Sequence, residues 1–112
     1  MHKEAGIVHR DIKPQNILLC DGEPFTVKLC DFGVSEEFQD DNDIMIKTAG
    51  TYHFFAPECC DPEIEEYSGK AVDIWALGVT IYCLLFNVLP FFDYENQENE
   101  YSILEIIYKT DV

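Results

Sequence analysis

Basic side chains are scarce in this sequence. Its 112 residues include 7 lysines and arginines against 22 aspartates and glutamates, which gives a formal net charge of −15. Nucleic acids and anionic lipid surfaces repel such a chain, so the composition argues against nucleic-acid binding and membrane docking. It favours a protein partner with a basic surface instead. Residues 1–34 are nearly neutral and most of the excess acid lies in residues 35–112, so a polyanion site is expected in the first segment.

The sequence also lacks a hydrophobic run long enough to span a membrane. The longest run, residues 74–89, is shorter than the ~20 apolar residues that a spanning helix needs. It lies between Asp73 and Pro90 and contains Thr80 and Asn87. A helix this short that is apolar on nearly every face is typical of a buried core helix. No apolar stretch follows the first residues, so no signal peptide is expected.

Cysteine spacings typical of disulfide frameworks or zinc sites are missing as well. The five cysteines are an odd number, none forms a CxxC pair, and the Cys59–Cys60 doublet matches no zinc motif. The cysteines therefore indicate free thiols in a reducing compartment, and we expect a cytoplasmic protein.

The pattern of apolar residues predicts an α+β chain that is mostly helical. Two short apolar runs, 17–19 and 25–30, flank the turn-forming Asp21-Gly22 and predict a two-stranded hairpin. Residues 31–51 have no sustained period, which predicts a long loop. The remaining predictions are a helix end before Gly6, a short helix from Pro57, helices over about 70–86 and 101–108, and an acidic linker at 93–100.

These elements are too few to cover one another. A hairpin of two short strands is only marginally stable alone. The helix through 74–89 needs neighbours on every side, and the rest of the chain supplies too little cover. We therefore interpret the sequence as part of a domain.

Four short motifs follow one another along the chain. They are HRDIKPQN at 9–16, DFG at 31–33, APE at 56–58 and DIWALG at 73–78. One such motif alone recurs by chance, but four in this order are specific. Together they resemble the large lobe of a eukaryotic protein kinase. The resemblance implies a protein-kinase-like fold in which residues 1–112 form a partial kinase domain, with the catalytic loop, DFG, activation segment and following helices but without the small lobe and the C-terminal end.

The resemblance also implies a reaction, the transfer of the ATP γ-phosphate to a Thr or Ser hydroxyl of a protein substrate. Such transfer depends on positioning and on neutralising phosphate charge. Asp11 would orient the hydroxyl and accept its proton. Lys13 would contact the transferring phosphate of ATP. Asn16 and Asp31 carry the hard oxygen atoms that suit Mg²⁺, and the resemblance makes them the metal ligands.

Other residues would support this site. By resemblance, the Asp73 carboxylate accepts backbone N–H groups from residues 9–11, and Thr51 hydrogen-bonds Asp11 and Lys13. Gly33 would let the loop turn after the metal ligand. The complete supporting set is His9, Arg10, Phe32, Gly33, Thr51, Glu58 and Asp73. Glu58 pairs with an arginine in this family, but the single arginine here has another role.

Each residue also has a plain structural interpretation. Asp11 could cap a turn, Asn16 could hold a loop, Asp31 could end a strand and Lys13 could be a solvated charge. Singly these interpretations would be preferred, but the spaced set favours the functional one. A second functional hypothesis stays open. No glycine-rich loop or strand lysine for the phosphates is present, so the chain could be an inactive kinase fragment or a non-catalytic binding module.

The type of kinase follows from finer resemblance. Lys13 and the Gly50-Thr51 pair match serine/threonine kinases rather than tyrosine kinases. The stretches DFGVSEEF, YSGKAVDIWALGVTIYCLLF and LPFFD are most similar to the calcium/calmodulin-dependent protein kinase kinase family. This resemblance makes another kinase a candidate for the protein substrate. It implies calmodulin as a partner only through segments outside this chain. Gln15 replaces a glutamate found in many kinases that prefer basic substrates.

The long loop raises a question of regulation. Lys47 occupies the place where many activation loops carry a phosphorylated threonine. We expect a carboxylate to neutralise Arg10 instead, with Thr48 as the competing regulatory candidate. The acidic run is equally compatible with a solvated charged surface. The carboxylates considered are Asp40, Asp41 and Asp43.

Overall fold

The computed structural model describes residues 1–92, Tyr94 and residues 99–110, so most of the predicted acidic linker lies outside the described residues. The helices are α1 (His2–Ala5), α2 (Pro57–Cys60), α3 (Gly69–Phe86) and α4 (Glu100–Lys109). The strands are β1 (Ile7–Val8), β2 (Ile17–Cys20), β3 (Thr26–Leu29), β4 (Glu36–Glu37), β5 (Ile44–Met45) and β6 (Tyr67–Ser68). Single 3₁₀ turns span Pro14–Asn16 and Tyr52–Phe54.

The predicted hairpin is present. Strands β2 and β3 pair antiparallel, with Ile17 opposite Leu29. The ladder is continued by Cys30 N, which donates to Asn16 O at 2.9 Å. This bond places the end of the first motif beside the start of the DFG motif.

The predicted long loop is fastened at two places. Strand β4 pairs with β1, and β5 pairs with β6, each through two residues per strand. Strands of two residues cannot display a period, which is why the sequence predicted only a loop. The first pairing holds residues 36–37 beside the residues that precede the first motif, and the second holds residues 44–45 beside the start of α3.

Helix α3 has the predicted bounds and two recognisable caps. The Ser68 hydroxyl accepts a hydrogen bond from Ala71 N at 3.2 Å. Asn87 has φ 57°, and its N–H donates to Cys83 O at 2.8 Å, which ends the helix. A left-handed Asn is a common helix terminator because its short polar side chain tolerates positive φ.

Helix α3 is only partly buried, which agrees with the expectation that this chain supplies too little cover for it. Val72, Ala76 and Val79 are buried, but Ile74 and Leu85 are exposed, Leu85 to 72%. The physical reason is the shortage of neighbouring elements among the described residues, which the sequence had also indicated. Residues 69–86 also reach the length and mean hydropathy (1.5) of a membrane span, a test that core helices of soluble proteins pass too.

Three hydrophobic clusters lie along α3. Trp75 packs against all of them. The first contains Val8, Met45, Ala56, Tyr67 and Val72, the second Ile12, Phe54, Ala76 and Val79, and the third Phe55, Ile103 and Ile107. The third cluster includes α4, whose predicted existence is confirmed. The first motif, through Ile12, and the APE motif, through Ala56, are thus held against α3.

Candidate active site

The loop of the first motif is anchored to helix α3 by Asp73. The Asp73 side chain is 1% exposed. Its two carboxylate oxygens accept hydrogen bonds from His9 N and Arg10 N, both at 2.8 Å. His2 Nε2 lies 2.7 Å from the same carboxylate. A buried carboxylate needs such partners, and the predicted backbone contacts are therefore present.

The backbone between Arg10 and Gly50 is unusually crowded. Arg10 has φ 68° and Gly50 has φ 113°. A Cβ atom at Gly50 would lie 2.2 Å from the Arg10 carbonyl oxygen. Only glycine fits at this crossing, since any side chain would collide with backbone. The crossing places Thr51 directly over the first motif.

Asp11 is the centre of the polar network. Its side chain is 13% exposed. Thr51 Oγ1 donates to Asp11 Oδ1 at 2.7 Å and accepts from Lys13 Nζ at 2.8 Å. Lys13 Nζ also lies 3.6 Å from Asp11 Oδ2. Both hydrogen bonds expected for Thr51 are present, and they hold a carboxylate and an ammonium side by side.

Asn16 lies on the other side of Asp11. Its side chain is buried, and its Nδ2 donates to Asp11 O at 2.8 Å and to Asp11 Oδ2 at 3.3 Å. Both contacts use the amide nitrogen. The amide oxygen is therefore the atom of Asn16 suited to a metal ion.

Asp31 makes the turn that was expected of Gly33. Asp31 has φ 59°, whereas Gly33 is not left-handed. The Asp31 carboxylate accepts a hydrogen bond from Gly33 N at 3.3 Å, and a Cβ atom at Gly33 would lie 3.2 Å from that same oxygen. The expectation for Gly33 is thus corrected: the glycine leaves room beside the carboxylate. Aspartate tolerates the left-handed region better than most residues, so it can take over the turn.

Asn16 and Asp31 are adjacent through the Cys30–Asn16 backbone bond. Magnesium is usually held by one or two protein oxygens together with phosphates and water. The described residues contain no group of three or more His, Cys, Asp or Glu side chains that could hold a metal by themselves. The pair therefore fits a magnesium ion that shares its coordination with a phosphorylated ligand.

His9 and Phe32 support the site from beneath. His9 is fully buried, and its Nε2 is 2.9 Å from Cys30 O. Its Nδ1 accepts a hydrogen bond from Asp11 N at 3.2 Å. The Phe32 ring meets the His9 ring edge-on, with centroids 4.8 Å apart. His9 is thus a packed scaffold residue, as expected.

The carboxylate beside Arg10 is Glu36. Arg10 Nη1 lies 3.2 Å from Glu36 Oε2. Arg10 Nε donates to Val34 O at 2.6 Å, and Nη1 donates to Lys47 O at 3.0 Å. The pairing of β4 with β1 sets Glu36 at this place. Glu36 was missed because a two-residue strand gives no sequence signal.

The expectation that Asp40, Asp41 or Asp43 contacts Arg10 is wrong. Asp41 forms an ion pair with Lys70. Asp43 accepts hydrogen bonds from Ser68 Oγ and from Lys70 N. Burial raises the pKa of Asp43, but these hydrogen bonds outweigh it and lower the pKa overall. Asp41 and Asp43 thus lie at the start of α3, where a carboxylate is favoured.

Thr48 and Glu58 are the two remaining residues that the sequence singled out. Thr48 is exposed. Burial raises the pKa of Tyr67, while hydrogen bonds with Thr48 and Arg10 oppose the rise. Among the described residues Glu58 forms no ion pair. Burial, with Glu58 nearby, raises the pKa of Cys59 to about 12, which keeps that thiol protonated.

Comparison with known sequences decides the family. Residues 1–111 match the protein kinase domain family. The chain belongs to the protein kinase family. Protein kinases act on protein substrates with ATP and Mg²⁺, and the clustering of Asp11, Lys13, Asn16 and Asp31 is compatible with that use. Several similar proteins, among them GRIK2 and ssp1, are named serine/threonine-protein kinases, which supports that class at the family level.

Three relatives illustrate the similarity. The calcium/calmodulin-dependent protein kinase kinase cmkC of Emericella nidulans is 46% identical over 90% of this chain and 18% of that protein. Serine/threonine-protein kinase GRIK2 of Arabidopsis thaliana is 47% identical over 76% of this chain and 20% of that protein. Serine/threonine-protein kinase ssp1 of Schizosaccharomyces pombe is 46% identical over 91% of this chain and 16% of that protein. The chain thus spans a fifth or less of the length of these relatives.

Proposed function

We propose that the protein containing this chain transfers the γ-phosphate of ATP to a threonine or serine hydroxyl of a protein substrate. The observation that carries the proposal is the shared hydroxyl of Thr51, which joins Asp11 and Lys13 within hydrogen-bond distance. A carboxylate that accepts a proton and a cation that meets a phosphate are the two protein groups this reaction needs most. In this proposal residues 1–112 are the large-lobe part of the kinase domain, and the small lobe is contributed by other segments.

Asp11 would orient the substrate hydroxyl. One oxygen of its carboxylate accepts from Thr51, and the other lies near Lys13 and Asn16. These contacts fix the plane of the carboxylate, so a hydroxyl placed against it is presented in one direction. Lys13 would offset the negative charge on the transferring phosphate.

Asn16 and Asp31 would hold Mg²⁺ together with ATP. The ion would neutralise phosphate charge, and the two side chains would set its position relative to Asp11. Both come from the ends of the β2–β3 hairpin, which is a rigid support for such a pair. The pairing of β2 with β3 would therefore set the distance between the metal ion and the substrate hydroxyl.

The test uses the complete protein with Asp11→Asn, and Asp40→Asn as the matched control. Asp40 is exposed and left-handed, and Asn tolerates that conformation. We expect Asp11→Asn to lower kcat on the order of 10²–10⁴-fold because general-base catalysis is lost. The measurement is Mg²⁺-dependent phosphate transfer to a generic protein substrate. Equal activity of the two variants would remove the proposal.

Within this class we propose a kinase that resembles calcium/calmodulin-dependent protein kinase kinases. The support is the 46% identity to cmkC and the motifs around DFG and α3. The substrate would then be another kinase, and calmodulin would bind segments outside this chain. Five free cysteines support a reducing, cytoplasmic setting. A calcium-dependent rise in activity on adding calmodulin to the complete protein is the expected result, and its absence would leave only the broader class.

A second candidate is a chain that is inactive in isolation. It is favoured by the exposed apolar face of α3, which indicates missing partners. We expect residues 1–112 alone to show no useful transfer from Mg²⁺-ATP, because no glycine-rich loop or strand lysine is present to position the phosphates. Turnover by this chain that disappears with Asp11→Ala would contradict the expectation.

A further inference from the structure

A tight turn in the middle of the long loop is built on two aspartates. Asn42 N donates to Gln39 O at 2.9 Å, which closes the turn over residues 39–42. Its central residues, Asp40 and Asp41, have φ 53° and 60°. Asn-Gly and Asp-Gly pairs are usual in such a turn, because the second position favours glycine. The backbone of Asp41 therefore has a conformational cost that contacts of the turn must offset.

Lys70, in the first turn of α3, makes contacts of this kind. Its ammonium forms an ion pair with Asp41. The same ammonium lies 4.7 Å from the centre of the ring of Phe38, the residue before the turn, at a distance where a cation is attracted to an aromatic face. The backbone N–H of Lys70 donates to the Asp43 carboxylate at 2.9 Å. One residue of α3 thus contacts the chain before, within and after the turn.

The contacts of the Lys70 ammonium are weak individually and hard to replace. The side chain of Asp41 is 87% exposed, and that of Lys70 is 28% exposed. An exposed ion pair changes an equilibrium constant only a few-fold, and an exposed cation–aromatic contact does the same. Residues 35–112 contain three lysines, no arginine and 17 acidic residues, so cations that could substitute for Lys70 are scarce.

The turn lies between the two places where the long loop reaches the candidate active site. Before the turn, Glu36 in β4 pairs with Arg10. After the turn, the chain continues through β5 to Thr51, which joins Asp11 and Lys13. Strands β4 and β5 each pair through only two residues, so they hold the loop weakly by themselves. Release of the turn from α3 would therefore loosen both contacts with the site.

We propose that Lys70 is a positioning residue for phosphate transfer. Its ammonium holds the turn at residues 39–42 against α3 and thereby keeps Glu36 and Thr51 in place beside the catalytic loop. The inference rests on the proposed kinase function and adds to it a residue that does not touch the reactants. The positive charge is the essential property of Lys70, so arginine can replace it and a neutral side chain cannot.

Hydrogen exchange of the complete protein tests whether Lys70 holds the turn. Lys70→Met keeps the length of the side chain without its charge, whereas Lys70→Arg keeps the charge. We expect the amides of Asn42 and Gly69 to exchange about fivefold faster in Lys70→Met and at the wild-type rate in Lys70→Arg. Asp41→Asn should give an increase of about threefold, because the contact with Phe38 remains. This exposed substitution tests the same contact if Lys70→Met disturbs folding.

Turnover of the same variants tests the link to the reaction. The kcat for transfer to a generic protein substrate should fall about fivefold in Lys70→Met and about threefold in Asp41→Asn. Lys70→Arg should retain it. The double variant should be no slower than Lys70→Met alone, because the two side chains act through one contact. Asp40→Asn is the matched control, since Asp40 is also left-handed and forms no ion pair among the described residues.

Salt separates positioning by charge from a merely structural role. Between about 0.05 M and about 0.5 M salt, the ratio of wild-type kcat to Asp41→Asn kcat should fall about threefold, because only the wild type has an ion pair to screen. A constant ratio would overturn the inference, as would unchanged exchange in Lys70→Met and Asp41→Asn. Faster exchange with unchanged kcat would reject the positioning role alone. No transfer by the wild type would reject the proposed function and the positioning role, while exchange would still decide whether Lys70 holds the turn.

Discussion

The two halves of helix α3 differ in burial although both are apolar. In the first half Asp73 and Ala76 are buried beneath the catalytic loop, whereas in the second half Leu85 and Phe86 are exposed. The polar network on the first half is completed within this chain, since Asp73 and the backbone N–H groups of residues 9–10 satisfy each other. The exposed apolar side chains of the second half are not covered by other described residues. The order of the candidate site therefore depends on contacts that the 112 residues contain.

Among the substitutions that distinguish the two halves, Asp73→Ala is expected to lower stability most. Asp73→Ala leaves the N–H groups of His9 and Arg10 without an acceptor, and we expect a loss of about 3 kcal/mol in the free energy of unfolding of the complete protein. Urea denaturation gives this value. Asp73→Asn, which keeps one acceptor oxygen, should lose less. An Asp73→Ala variant as stable as the wild type would show that the network does not anchor the loop.

Leu85→Ala completes the comparison from the other half of the helix. If its face stays exposed in the complete protein, the change should be within ~0.5 kcal/mol. If other segments cover that face, truncation of a buried leucine costs about 2–5 kcal/mol. The result therefore measures how much cover lies outside this chain.

A smaller effect is expected at the crossing of Gly50 and Arg10. Gly50→Ala would place a Cβ atom 2.2 Å from the Arg10 carbonyl oxygen, at φ 113°. We expect a loss of roughly 1–3 kcal/mol, and a lower kcat because Thr51 is displaced from Asp11. The control is Gly22→Ala, which shares a positive φ of 145° but has no atom within 4 Å. Equal kcat values for the two variants would show that the close approach of Gly50 to Arg10 does not affect catalysis.

The smallest effect concerns the pH dependence of Asp43. Its pKa in the folded chain lies below the ordinary value of 3.8. A depressed carboxyl pKa contributes stability above the unfolded pKa, and this stability disappears as the pH falls through the folded pKa. Acid titration of stability in the complete protein should thus be less steep below pH 3.8 for Asp43→Asn than for the wild type. A titration curve of unchanged slope would mean that the contacts of Asp43 with Ser68 and Lys70 do not stabilise the fold.

The sequence predicted what short patterns and motifs can specify. The hairpin, the bounds of α3 and the contacts of Thr51 and Asp73 follow from apolar periods and from the resemblance to protein kinases. Glu36 as the partner of Arg10 could not be predicted, because the pairing of β4 with β1 is a long-range contact of two residues. Nor could the left-handed backbone of Asp31, since the DFG motif suggests its glycine for the turn.

The burial of α3 shows a different limit. An apolar pattern states which side chains prefer to leave water, but it does not state whether neighbours are available. Ile74 and Leu85 satisfy the pattern for a core helix and are nevertheless exposed. Burial depends on the elements that pack against the helix, and the periodicity within one helix carries no information about them.

The hydroxyl of Thr51 has one hydrogen, and the structure directs it to Asp11 while Lys13 occupies a lone pair. Thr51 therefore couples the two charged groups. If residues 47–51 move, the Asp11 carboxylate and the Lys13 ammonium lose their shared hydrogen-bond partner together. Asp11 would keep its contact with Asn16, but both charged groups would lose the bonds that join them through Thr51. A displacement of the activation segment would thus disturb both charged groups at once, without any chemical change at the two residues themselves.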